Sequence, residues 1–154
     1  MSGGKVARIL ENETDQDAIV DIDNLLAPIL SENPGGLSPP EKNICYIEML
    51  DNDVNAGGFK QFFLNPSGEF AHEVVSALRE INSVKILQVV EAAVGQFPDA
   101  RVPKDPNTRR VMIQQIAGMA NPVWEMLDNQ FSDYEEDIYA LMTEYIRRNI
   151  TDFR

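Results

Sequence analysis

Ser38-Pro39-Pro40-Glu41-Lys42-Asn43-Ile44-Cys45-Tyr46-Ile47-Glu48-Met49-Leu50 is the stretch on which the fold turns. Ser38 with Glu41 three residues on has the form of a capping box, in which each side chain takes the backbone N–H of the other residue. Proline at the first helical position suits such a start, because an N–H there would have no partner in the helix. From Ile44 to Leu50 few polar positions remain. This pattern predicts a helix to about Asp53 that is central and buried rather than half solvated. A buried helix needs other helices around it, and the flanking sequence supplies them.

Towards the N-terminus, Ile19, Ile22, Leu26 and Ile29 recur at helical spacing after Thr14, with Pro28 expected to bend or end that helix. Asn33-Pro34-Gly35-Gly36 reads as a turn. Residues 1–12 read as a flexible lead-in with a short ordered piece from Val6 to Leu10. Towards the C-terminus the pattern predicts helices over Phe59–Leu64, Glu69–Glu80, Val84–Phe97 (capped by Asn82 or Ser83), Asp105–Met119 and Asn121–Asn129. Ser132-Asp133-Tyr134-Glu135 has the form of a second capping box, opening a last helix with Ile138, Leu141, Met142, Tyr145 and Ile146 on one face. With no β alternation, the expectation is an all-α, compact single-domain bundle of about seven or eight helices over residues 13–154.

Composition narrows the function. The 154 residues hold 25 acids against 13 bases, a net charge of −12. Such a field repels nucleic acid and anionic membrane and attracts basic surfaces. Residues 1–60 carry 11 acids and 4 bases, residues 123–154 carry 8 and 3, and residues 99–122 carry 2 and 4. One cysteine, Cys45, excludes an internal disulfide. Without an apolar signal core or a bilayer-length apolar run, the expected location is cytoplasmic.

Catalytic constellations are scarce. His72 is the single histidine, and Cys45 sits in an apolar run as a core residue would. Glu69-Phe70-Ala71-His72 has the Glu-x-x-His form that di-iron bundles use in pairs, but a second copy would need a second histidine. Zinc sites need several Cys or His ligands, and no phosphate-binding glycine loop follows a strand. Arg101, Lys104, Arg109 and Arg110 form too small a basic cluster to reverse the charge, and read as pairing with acids of their own chain or framing a loop. No catalytic, cofactor or metal residue is therefore nominated, and no cofactor is expected.

The segment Asn55-Ala56-Gly57-Gly58-Phe59-Lys60-Gln61-Phe62-Phe63-Leu64-Asn65, continuing through Gly68 to Ala77-Leu78-Arg79, and later Leu127-Asp128-Asn129-Gln130-Phe131, is more specific. It resembles the family named after the DNA-mimic protein of Neisseria, over about residues 44–150. The family often has a second Asn where this chain has Ala56. The resemblance implies an all-α fold, and a mode of action in which carboxylates stand in for DNA phosphates on a transcription factor. The motif itself reads as architecture. Its glycines allow a tight turn, Phe59, Phe62 and Phe63 fill a core, and Gln61 and Asn65 satisfy turn backbone.

Asp17 and Asp21 lie about 6 Å apart along a helix axis, a length over which duplex DNA carries roughly three or four charges. One helix is too sparse, so separate elements must contribute. The candidate partner-binding acids are Asp15, Asp17, Asp21 and Asp23 in the first cluster. Asp128, Asp133, Glu135, Glu136 and Asp137 make the second and denser one. The leading expectation is a non-catalytic binder of a basic protein such as a transcription factor, with no direct contact to nucleic acid or membrane and with homodimerisation left open. The alternatives are an antitoxin- or immunity-like binder of a target that does not bind DNA, a hydrolase using buried carboxylates, and a structural or assembly protein.

Overall fold

The computed structural model describes residues 4–133 and 135–154, and among these capping chemistry and apolar periodicity set out seven α-helices. They are α1 (Gly4–Asn12), α2 (Asp15–Glu32), α3 (Pro39–Leu64), α4 (Ala71–Glu80), α5 (Lys85–Val94), α6 (Pro106–Asp133) and α7 (Ile138–Arg148). Strands are absent among the described residues, and the helices share one hydrophobic core. The Ser38 box closes as expected: Ser38 Oγ accepts from Glu41 N–H at 3.2 Å, and Glu41 Oε1 accepts from Ser38 N–H at 2.9 Å.

α3 is the central element, packed against α2, α4 and α6. It buries Ile44, Ile47, Leu50, Phe59, Phe62 and Phe63. The Phe63 ring centroid lies 4.9 Å from that of Phe97 and 5.3 Å from that of Trp124. Trp124 Nε1 donates to Ala93 O at 3.0 Å, so its one polar atom is satisfied inside the core. Truncating any of these rings to alanine would cost about 3–5 kcal/mol.

Five boundaries differ from the sequence expectation, each through tertiary contact. The ordered piece expected from Val6 to Leu10 extends to a helix over Gly4–Asn12 in place of a flexible lead-in, because Val6 and Leu10 are buried and Val6 N–H donates to Arg154 O at 3.1 Å. Residues 1–3 lie outside the described residues. α2 continues past Pro28 to Glu32, with Leu30 buried beyond the proline. α3 does not stop near Asp53; it runs on to a break at Gly58 and resumes to Leu64. The two helices expected on either side of Asn121-Pro122 are one, α6, because Ala120, Trp124 and Leu127 keep one buried face across the proline. Finally, Ser132 and Asp133 belong to α6, and Asp137 caps α7 by accepting from Ala140 N–H at 3.1 Å. Tyr134, inside the expected second capping box, lies outside the described residues.

Candidate functional site

Gly57-Gly58-Phe59 and Leu127-Asp128-Asn129, 70 residues apart in sequence, meet in space. Gly58 takes φ +84°, which breaks the helix and leaves the Phe59 N–H without a helical acceptor. Asp128 Oδ1 accepts that N–H at 2.8 Å. A Cβ on Gly58 would lie 2.4 Å from Asp128 Oδ2. The rest of the motif is equally internal. Asn55 Nδ2 donates to Asp51 Oδ1 at 2.9 Å, and Gln61 Nε2 donates to Asn65 Oδ1 at 2.6 Å. Gln61 and Asn65 therefore bond each other through their side chains instead of binding turn backbone.

The backbone carbonyls at the end of α3 are served by Arg109, only 1% exposed. Its Nε donates to Phe63 O at 2.6 Å, one terminal nitrogen to Asn65 O at 3.2 Å, and the other to Pro103 O and Lys104 O at 3.0 Å each. Gly68 makes room for it, since a Cβ there would fall 2.7 Å from Arg109 Nε. Lys104 pairs with Glu73 at 2.8 Å. His72 Nε2 accepts from Val102 N–H at 3.0 Å, which ties down the loop before α6.

The nominated acids divide by what they touch. Glu136 is the cap of a remote helix. Its carboxylate accepts from Val84 and Lys85 N–H at 2.9 Å, from Ile86 N–H at 3.1 Å and from the Ser83 hydroxyl, so it closes the N-terminus of α5. Burial works to raise its pKa, but these donors outweigh it and hold the pKa low. Asp128 serves the Gly58 break, with its pKa raised by burial. Asp15 Oδ1 accepts from Thr143 Oγ1 at 3.1 Å and so ties α2 to α7. Asp23 is half-buried beside Cys45, and burial pushes it up to about 6. Glu136, Asp128 and Asp23 are thus held within the fold and are not surface acids.

Asp17, Asp21, Asp133, Glu135 and Asp137 are exposed. Glu13, half-buried, lies just before α2. A hydrogen bond to Asp21 raises its pKa, with burial and the charges of Asp21 and Asp17 adding to the rise. Among the described residues the ion pairs are Arg79–Glu91, Lys104–Glu73, Arg148–Glu144 and Arg154–Glu41. None of the nominated acids takes part in them.

A second set of carboxylates is buried where α2, α3 and α7 approach. Glu48 is 3% exposed and its Oε1 has no hydrogen-bond partner. Burial, then the charges of Asp51 and Asp23, push its pKa up to about 8. Asp51 accepts from Tyr139 OH at 2.5 Å. Burial likewise raises the Cys45 thiol. Glu48 lies in the apolar run Ile44 to Leu50, so its burial could be anticipated, whereas nothing in the local sequence around Arg109 separates it from an ordinary surface residue; its burial follows from which helices close over it.

The sequence profile of the DMP19-like protein family matches residues 35–149. The matched region begins ahead of the Ser38 cap and contains both segments that meet at Gly58. No curated protein and no solved structure matches the chain.

Proposed function

Because the chain belongs to the DMP19-like protein family, we propose that it is a non-catalytic DNA mimic that sets exposed carboxylates against the DNA-binding face of a basic protein such as a transcription factor. The observation that carries the reading is that Asp17, Asp21, Asp133, Glu135 and Asp137 are exposed and none is in an ion pair among the described residues. Their charge is left to act on a partner. The two groups belong to neighbouring elements. α2 packs on α7, and Thr143, which holds Asp15, lies about 9 Å of helix rise from Asp137. Glu13, Asp17 and Asp21 would then supply one end of the imitation, and Asp133, Glu135 and Asp137 the other.

The test is capture of a partner followed by competition with duplex DNA. The reading requires that DNA displace the protein, and that binding weaken steeply between low and high salt. The variant D17N/D21N/D133N/E135Q keeps the fold, since all four positions are exposed, and should bind roughly 10- to 100-fold more weakly. A partner that holds DNA and this protein together would sink the proposal.

A further inference from the structure

An open cleft of about 300 Å³ lies where α3, the end of α6 and the start of α7 meet. Asp51 and Asn55 of α3, Phe131 and Ser132 of α6, and Glu136, Asp137 and Tyr139 line it. Its volume is at the small end of ligand-sized cavities. Every charged residue on its walls is an acid. None of these three acids takes part in an ion pair among the described residues.

The three carboxylates are not equivalent. Glu136 is committed to the N-terminus of α5, and Asp137 accepts from Ala140 N–H at the N-terminus of α7. A helix N-terminus offsets about half a charge. Asp51 sits inside α3, remote from the helix start. It is only 7% exposed, and its oxygens accept from neutral donors alone, Asn55 Nδ2 at 2.9 Å and Tyr139 OH at 2.5 Å. A carboxylate this buried ordinarily faces a cation, and none pairs with it among the described residues. One turn earlier on the same side of α3, Glu48 is buried with its Oε1 unpartnered, so this stripe of the helix is short of donors. The cleft keeps a net negative charge of about two, three acids less two half charges. Asp51 is its buried acid and Asp137 its exposed one.

We propose that this cleft takes an arginine side chain of the basic partner. The inference rests on the reading of the protein as a DNA mimic, and adds to it the anchor that holds the partner. Arginine presents five N–H donors in a planar fork, enough to meet more than one carboxylate, whereas lysine offers a point charge. The rings of Phe131 and Tyr139 on the walls suit the flat face of a guanidinium. Faces that bind DNA carry arginines for phosphates and for bases, so the partner has such a residue to give. The cleft is also continuous with the exposed acids: Asp133 follows Ser132 in the chain, and Asp137 belongs to both. Exposed carboxylates alone attract any cation, and the cleft adds shape to that charge.

Acetyl-arginine amide, titrated into the isotope-labelled full chain and followed by NMR, is the probe. It should bind with a dissociation constant of roughly 1 mM, the range of so small a fragment, and shift the amides of Asn55, Ser132 and Tyr139. Acetyl-citrulline amide, similar in shape but uncharged, should bind at least about 10-fold more weakly. Asp51→Asn, close in shape, should weaken the arginine amide roughly 10-fold. Ser132→Trp, at an exposed position and with every charge left in place, should block it. The proposal is overturned by absence of saturable binding, by equal binding of the citrulline amide, or by shifts that follow the exposed acids of α2 and survive Ser132→Trp. The same variants against a captured partner separate the cleft from the reading beneath it. A partner displaced by duplex DNA, yet held by Ser132→Trp and Asp51→Asn as well as by wild type, overturns the cleft alone. A partner lost by both variants, yet able to hold DNA and the wild type together, supports the cleft and overturns the mimic.

Discussion

Glu136 closes the N-terminus of α5 from about 50 residues away in sequence, so removing it leaves the Ser83 Oγ bond to the Leu87 N–H as the local side-chain cap. In Glu136→Ala the Val84 and Lys85 N–H groups are exposed enough to bind water instead. The Ile86 N–H and the Ser83 hydroxyl are partly buried and lose their acceptor outright. Loss of the cap costs about 1 kcal/mol, and the two poorly solvated donors add about 1–2 kcal/mol. The expected destabilisation is about 2–3 kcal/mol, or roughly 5–10 °C in melting temperature for a chain of this size. Urea denaturation from pH 7 downward is the assay. The folded carboxylate has a lowered pKa against an ordinary value of 4.5. Its contribution is therefore complete above 4.5 and lost as pH falls through the folded value. The gap between wild type and Glu136→Ala should be full at pH 7 and should close in acid. A gap under about 0.5 kcal/mol at pH 7, the scale of ordinary surface substitutions, or one that stays constant as acid is added, would refute the reasoning.

Other consequences concern the buried acid and the helix break. Glu48, at about 8 in the fold against an ordinary 4.5, favours the folded state only while protonated, so wild-type stability should fall as pH rises from about 4.5 to 8. Glu48→Gln should remove most of that slope and be more stable than wild type at pH 8.5, by about 2 kcal/mol, with little gain at pH 5; denaturant titrations at the two pH values decide it. Gly58→Ala forces a side chain into φ +84° and against Asp128, and should cost about 3 kcal/mol or more. Combined with Asp128→Gly, which removes the obstacle, the two losses should sum to clearly more than the double variant shows by thermal unfolding.

The helical class, the Ser38 cap, the Thr14 start of α2 and the apolar faces of α3 and α7 were legible because they rest on interactions spanning three or four residues. Capping and helical periodicity act at that range, and no distant partner is needed to specify them. The family motif was legible as architecture for the same reason, since glycine at a break and phenylalanine in a core are demands of local shape. Tertiary structure alone decided how each carboxylate is used. In sequence Asp128 and Glu136 group with Asp133 and Glu135 as surface acids, yet one serves a helix break and one caps a remote helix, while Glu48, inside the apolar run of α3, is buried without a full set of partners. The difference lies in which backbone donors and which low-dielectric surroundings the fold brings to each acid. The run through Pro122 was settled in the same way: a proline's local cost is fixed by chemistry, but whether the helix survives it depends on the face that Ala120, Trp124 and Leu127 bury against the rest of the bundle.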